Sequence, residues 1–151
     1  MNWYGVLKVL HVLSAVAWIG GGAAFSTVTA RLVRATDRAT LKAMLPQVTG
    51  YMQTMAGPAS GLVLLSGIAM VIVGKVGFRT LWVDLGFLGF VLHGLFGGLV
   101  MRKRMAALES AVTATADDAL ALAGARLRSA NIAYLTIMAA VIAIMVLKPT
   151  L

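Results

Sequence analysis

The chain has 151 residues, of which 60% are apolar and 12% are charged, and its formal net charge is +8. Soluble domains contain about 45–50% apolar and about 25% charged residues, and a chain of this length still exposes about a third of its unfolded surface after folding. These proportions exclude a soluble globular domain and a disordered chain, so the positive charge alone does not indicate nucleic-acid binding. The lack of cysteine excludes disulfides, thiolate metal sites, cysteine nucleophiles and thioether-linked haem.

Four apolar segments divide the chain, at about residues 3–28, 51–74, 81–101 and 131–147. Each is close to the roughly 20 residues that a helix needs to cross a hydrocarbon core of about 30 Å. Uniformly apolar segments satisfy their backbone polar groups as helices, whereas barrel strands would alternate in polarity. The sequence therefore predicts an all-α fold, a single four-transmembrane-helix bundle over residues 1–151. Residues 105–125 are predicted to lengthen the third or fourth helix, with Thr115 at a helix start.

The positive charge is concentrated in two connections. Nine of the thirteen Lys and Arg residues fall around residues 31–46 and 102–128. Because cytoplasmic loops near span ends carry an excess of Lys and Arg, these two connections are predicted to be cytoplasmic and both termini outside. Lys8 and His11 interrupt the first apolar segment and no basic residue precedes it, so we expect a retained helix rather than a cleaved signal peptide.

The first segment carries ionisable side chains at membrane depth, where a charge at the helix centre costs at least about 2.5 kcal/mol. Residues three, four and seven apart share a helix face. One such face is formed by Tyr4, Lys8, His11, Ala15, Trp18, Gly22 and Phe25. Because lipid would penalise Lys8 and His11, this face is predicted to point into the bundle. Trp18 on it either packs against a bound macrocycle or fills the core.

The third segment has a comparable face, formed by Gly86, Gly89, Phe90, His93, Phe96, Gly97 and Val100. Its glycines either allow close helix packing or leave a slot for a flat ligand such as a porphyrin. His93 follows Trp82 by eleven residues, which is about 16 Å along a helix. His11 follows Trp3 by eight residues, about 12 Å, so the two histidines are predicted to lie at similar depth.

Two histidines inside a dry helical bundle favour haem b, which needs only one or two axial ligands from facing helices. We predict that His11 and His93 ligate its iron; the alternative is that each histidine bonds a neighbouring carbonyl or hydroxyl group. Lys8, one turn outward from His11, and Arg79, at the outer end of the third helix, are predicted to meet the haem propionates. The alternatives are an ion pair between Lys8 and Asp84 and snorkelling of Arg79 at the membrane interface.

The nine methionines raise the question of copper, because thioethers suit Cu(I). They are scattered along the chain, so apolar packing is the favoured interpretation, with Met52 or Met55 as an alternative axial ligand near His93. The sequence contains no recognisable nucleophile and base pair, paired carboxylates or phosphate-binding loop. No catalytic residue is therefore predicted.

A resemblance to a known superfamily rests on motifs in a fixed order along the four segments. They are Lys8–His11, Trp18–Gly21, Gly57–Ser60, Leu65–Gly67, His93 and Val146–Pro149. In these motifs the chain resembles four-helix bacterial membrane proteins related to HemJ-type protoporphyrinogen oxidases and copper-resistance-D-type domains, and it is closest to their uncharacterised members. The resemblance implies a bacterial inner membrane location and haem b ligation through His11, with His93 near a third-helix histidine of that family.

Three positions depart from the oxidase pattern, which has an arginine near Phe25, a lysine near Asp84 and an acidic residue at Ile132. These departures favour haem binding without protoporphyrinogen oxidation. The sequence thus predicts a haem b-binding membrane protein for electron transfer or oxidoreductase-like chemistry, with a quinone or a periplasmic protein as partner, and it allows a homo-oligomer. The alternatives are a non-haem structural or accessory subunit and a copper-handling membrane protein.

Overall fold

The computed structural model describes residues 2–35, 37–114 and 117–150. Four helices make up almost all of these ranges: α1 (Trp3–Ala35), α2 (Arg38–Val73), α3 (Leu81–Thr113) and α4 (Asp117–Leu147). Each is long and apolar enough to cross a membrane, and the described ranges contain no strand. The predicted all-α, four-transmembrane-helix fold class is confirmed. Thr115, the predicted helix start, lies outside the described residues.

Every helix but the first extends well beyond its apolar segment on the arginine-rich side. The polar extensions are stabilised by burying one face: Leu41 and Leu45 of α2, Leu108 of α3 and Leu127 of α4 are at most 2% exposed. Burial of a leucine side chain contributes about 1.5–3 kcal/mol, which is enough to hold a helical turn outside the lipid. In these extensions, packing between helices therefore takes the place of contact with lipid.

Two neighbouring residues fix the start of α2. The carboxylate of Asp37 accepts bonds from the Thr40 N–H and from the Thr40 hydroxyl, both at 2.9 Å. These hydrogen bonds lower the pKa of the Asp37 carboxyl below its ordinary range. The guanidinium of Arg38 donates to two backbone carbonyls, that of Ala111 at 3.1 Å and that of Ala114. Its Nη2 also lies 2.6 Å from the carboxylate of Asp117. Arg38 thereby joins the start of α2 to the end of α3 and the start of α4.

Helices α2 and α3 each contain a π-helical turn, at Met52–Ala56 and Phe96–Met101. The first turn ends two residues before Pro58, which has no backbone N–H and whose ring crowds the preceding turn. The wider π turn accommodates that proline without ending the helix. Gly57 and Pro58 thus lie within a continuous helix rather than at a helix start.

The helices run up and down, so α1 begins and α4 ends at one end of the molecule, here called the terminal end. The opposite end, which carries Arg31, Arg34, Arg102 and Arg128, is called the arginine-rich end. Helix α1 packs against α2 and α4, whereas α3 packs against α4 and, near the arginine-rich end, against α2. Helices α1 and α3 are therefore diagonal partners, and along Gly57–Val73 and Leu81–Leu95 α2 and α3 have no close backbone contact.

Packing density differs between the two ends. One buried cluster fills the arginine-rich half, including Phe25, Leu45 and Met105, and a second cluster around Trp18 and Met138 closes the middle of the bundle. No buried cluster of described residues continues beyond this level, so the terminal end is hollow. Many apolar side chains on the outside of the helices are more than half exposed, as expected for a surface that faces lipid.

Close packing of α3 on α4 depends on two glycines. A Cβ at Gly89 would lie 2.7 Å from Cγ2 of Val141, and one at Gly86 would collide with the Met145 side chain. Side chains of α4 therefore lie directly beside these two glycines, which favours close helix packing at both positions.

Candidate functional site

The hollow terminal end contains a cavity of about 500 Å³ bounded by all four helices. This volume is within the range of about 300–1,000 Å³ that is common for small-molecule sites. Most of the lining is apolar, and its polar or metal-ligating members are few. They are Tyr4, Lys8, His11, Trp18, Met70, Trp82, Met145 and Lys148.

His11 is held at the wall of this cavity by α2. Its Nδ1 lies 3.0 Å from Oγ of Ser66. The Ser66 hydroxyl donates to the backbone carbonyls of its own helix, at Leu62 and Val63, so its oxygen is left to accept from His11 Nδ1–H. This hydrogen-bond pattern assigns the proton to Nδ1 and leaves a lone pair on Nε2. Metal-ligating histidines are commonly oriented by such a second hydrogen bond.

Gly67 provides the space in which the His11 ring lies. A Cβ at this position would be 3.3 Å from Cε1 and 3.6 Å from Nδ1 of the imidazole. A larger residue at Gly67 would push the ring away from Ser66. The roles of Ser66 and Gly67 were not predicted, although both belong to the second-segment motif that carries the family resemblance.

Two lysines lie at the mouth of the cavity. Lys8 and Lys148 both line it, and Nζ of Lys148 is 5.3 Å from the ring centroid of Trp82. No acidic side chain lines the cavity among the described residues. Lys148 was not predicted as a site residue, because in the sequence it follows the last apolar segment and resembles an interfacial cation.

The ion pair between Lys8 and Asp84, the alternative to a propionate contact, is not formed. Asp84 is exposed and outside the cavity lining, and within the described ranges Arg38 and Asp117 form the single ion pair. Arg79 is likewise exposed, in the connection between α2 and α3, and does not line the cavity. Of the predicted cations, Lys8 alone reaches this site.

His93 lies below the cavity, in the middle of the bundle. It is 3% exposed, and its ring is 4.8 Å from that of Trp18, nearly perpendicular at 85°, and 4.0 Å from that of Tyr134. Its Nε2 has no hydrogen-bond partner among the described residues. Trp18 borders the cavity and packs on Phe90 at 5.4 Å, so these two rings form the cavity floor above His93.

The structure does not bring the two predicted histidine ligands together. Trp18, at the level of His93, follows His11 by seven residues on α1, which corresponds to about 10 Å along the helix. The prediction of similar depth is therefore wrong, and His93 is absent from the cavity lining. His11, Lys8 and Trp18 do share one cavity, as the face on α1 predicts.

The methionines predicted as alternative ligands also lie elsewhere. Met52 packs against the cluster in the arginine-rich half, and Met55 is 61% exposed. Met70 and Met145 instead place thioethers in the lining of the cavity. The described residues contain no group of three or more His, Asp or Glu side chains that could hold a metal ion, so an iron site here would rest on His11 and an externally supplied macrocycle.

Comparison with known proteins gives one match. The profile of a family described as "Predicted integral membrane protein (DUF2269)" matches residues 5–149. No curated protein and no solved structure matches the chain.

Proposed function

The chain belongs to the DUF2269 family of predicted integral membrane proteins, and on that premise we propose that its cavity at the terminal end binds haem b through His11. As an integral, multi-pass protein it contacts the lipid bilayer. Within the proposal it lies in a bacterial inner membrane with both termini outside. The use proposed for the haem is electron transfer or related redox chemistry.

The observation that carries the proposal is the state of His11. Its Nδ1–H is engaged by Ser66, so the free lone pair is on Nε2, the atom that haem proteins commonly present to iron. The ring borders a cavity of about 500 Å³ whose walls are mostly apolar. A neutral imidazole in an apolar cavity of ligand size fits a macrocycle that binds without covalent attachment.

The charges at the cavity mouth fit the propionates of haem b. Lys8 and Lys148 line the mouth, and no described acidic residue shares the lining. Such cations stabilise an anionic group that enters between them. In this proposal Lys8 keeps the role predicted for it from the sequence, and Lys148 takes the role predicted for Arg79.

Haem b would supply one-electron redox chemistry, and the protein would set its environment. His11 would hold the iron, and Ser66 would fix the orientation and basicity of the imidazole. Trp18 and Phe90 separate the cavity from the buried interior. Because α2 and α3 have no close backbone contact along this half, a membrane-borne quinone would approach from the side, whereas a periplasmic protein would approach the mouth.

A copper-handling function is the second candidate, and one observation favours it. Met70, Met145 and His11 line the same cavity, and thioether and imidazole groups are ligands of Cu(I). The two lysines at the mouth do not favour a cation, so haem remains the better fit.

Absorption spectra of the purified protein test the proposal. The full chain is expressed with added haem precursor and examined before and after reduction with dithionite. We expect a Soret band and a reduced α band typical of b-type haem. Protein that shows no Soret band even after titration with haemin would overturn the proposal, and copper bound in a His11-dependent manner would replace it with the second candidate.

A further inference from the structure

A second, smaller cavity lies between α1 and α4 toward the arginine-rich end, far along the bundle from His11. Its volume is about 210 Å³, too small for a macrocycle. Four of its lining residues carry polar groups: Thr29 and Arg34 on α1, and Arg128 and Asn131 on α4. The proposed haem function makes no use of this cavity.

The orientation of the Asn131 side chain can be assigned from its neighbour. The Thr29 hydroxyl donates to backbone carbonyls of α1, at 2.7 Å to Phe25 and 3.2 Å to Ser26. Its oxygen can therefore only accept, which assigns the Asn131 group 3.4 Å away as the amide Nδ2 donor. Oδ1 of Asn131 is then the atom without a hydrogen-bond partner among the described residues.

An unpartnered amide oxygen in a residue that is 4% exposed indicates a missing donor. Buried polar groups are almost always paired, because leaving one unpaired forfeits its hydration. Asn131 lines the cavity, and because its Oδ1 is covered by neighbouring atoms, a donor in the cavity reaches this oxygen by a rotation of the amide side chain. The ligand should therefore carry a hydroxyl or another N–H or O–H group.

The same cavity is cationic. Arg34 and Arg128 both line it, and neither forms an ion pair in the described ranges. Guanidinium groups bind phosphate oxygens through paired, charge-assisted hydrogen bonds. Together, two guanidiniums and one acceptor suit a phosphate that carries a hydroxylated substituent, whereas an ammonium substituent would be repelled by the arginines.

The location indicates how that phosphate arrives. The cavity lies where α1 and α4 pass from their apolar segments into their basic ends, which is the level of lipid headgroups. Val28 and Ile132, next to Thr29 and Asn131 in the sequence, are 41% and 62% exposed and so can contact acyl chains. Basic pockets between membrane helices are common sites for anionic lipid headgroups.

We propose that the cavity between α1 and α4 binds the headgroup of an anionic phospholipid of the phosphatidylglycerol type. Arg34 and Arg128 bind its phosphate, and a glycerol hydroxyl donates to Oδ1 of Asn131. The acyl chains lie along the outer surface of α1 and α4. This lipid site is independent of the haem proposal.

The test measures how strongly the full chain in detergent binds phosphatidylglycerol and phosphatidylcholine, with native mass spectrometry as the assay. The double variant Arg34→Gln/Arg128→Gln should bind phosphatidylglycerol about 10-fold or more weakly. The matched control, Arg31→Gln/Arg126→Gln, removes the same charge from the same helices at exposed positions outside the cavity and should retain nearly full affinity. Equal losses in both double variants, or equal binding of both lipids by the unmodified chain, would overturn the proposal.

Two further comparisons test the hydroxyl contact and the source of the phosphate. Phosphatidylmethanol has the same charge but no headgroup hydroxyl, so the unmodified chain should prefer phosphatidylglycerol, and Asn131→Leu should abolish that preference. A preference that survives in Asn131→Leu would contradict the assigned contact. Inorganic phosphate should fail to displace the lipid at millimolar concentration; displacement would show a site for free phosphate and overturn the lipid assignment.

Discussion

Replacing Ser66 by alanine should weaken haem binding without disturbing the bundle. The substitution removes the oxygen that lies 3.0 Å from Nδ1 of His11, so the imidazole loses the contact that fixes its orientation and proton. The remaining bonds of the Ser66 hydroxyl are to carbonyls of its own helix, and alanine is at least as good a helix former. The fold of α2 should therefore be retained.

The expected loss of haem affinity follows from the role of the hydrogen bond that orients a metal-ligating histidine. Removing the partner of a metal-ligating histidine typically lowers metal affinity about 10- to 100-fold, which corresponds to about 1.4–2.7 kcal/mol at 25 °C. Titration of haem into Ser66→Ala, followed at the Soret band, should show a dissociation constant raised by that factor. Circular dichroism of the same samples should show unchanged helix content.

Ser60→Ala is the matched control for this titration. Ser60 is on the same helix and also donates to a carbonyl of its own helix, that of Gly57 at 2.7 Å, but it has no hydrogen bond to His11 in the structure. Its replacement should leave haem affinity unchanged. Unaltered affinity in Ser66→Ala, or an equal loss in Ser60→Ala, would refute the reasoning about His11.

Three predictions concern stability in detergent, measured by thermal unfolding. Gly89→Ala should cost about 1–3 kcal/mol through overpacking against α4, whereas Gly94→Ala, on the same helix with open space around its Cα, should cost nothing; equal effects would contradict the packing. Arg38→Ala should lower stability by about 1–2 kcal/mol, since it removes a charged donor from two carbonyls and a carboxylate. The pKa of the Asp37 carboxyl is lower in the folded chain than in the unfolded chain. The ionised carboxylate therefore contributes its full stabilisation at pH values above the pKa of the unfolded chain, and this stabilisation is lost as the pH falls through the pKa of the folded chain. Asp37→Asn should flatten this acid dependence, and an unchanged profile would contradict the assignment.

The fold class was predictable because lipid imposes a strong compositional signal. Apolar segments of membrane length identified all four helices, but not where each helix ends. The extensions of α2, α3 and α4 are amphipathic and bury leucines such as Leu41 and Leu108 against one another. That stabilisation depends on which helices are neighbours, and hydropathy along one segment does not contain this information.

The candidate site was predictable where it lies on one helix. Spacing on α1 brought Lys8, His11 and Trp18 together because residues on one helix keep a fixed relation. The relative depth of residues on different helices was not predictable. His93 contacts Trp18 and so lies at its level. Trp18 is fifteen residues after Trp3, whereas His93 is only eleven residues after Trp82. Trp82 therefore lies about 6 Å deeper than Trp3, an offset that hydropathy does not reveal.

The central claim, that haem is held through His11 and not through His93, is tested most directly by comparing His11→Leu with His93→Leu. Leucine is apolar and fits the surroundings of His93, whose Nε2 has no described partner to lose. Haem content per protein, measured as the pyridine haemochrome after purification, should fall to background in His11→Leu and stay at the level of the unmodified chain in His93→Leu. Haem retained in His11→Leu, or lost equally from both variants, would contradict the claim.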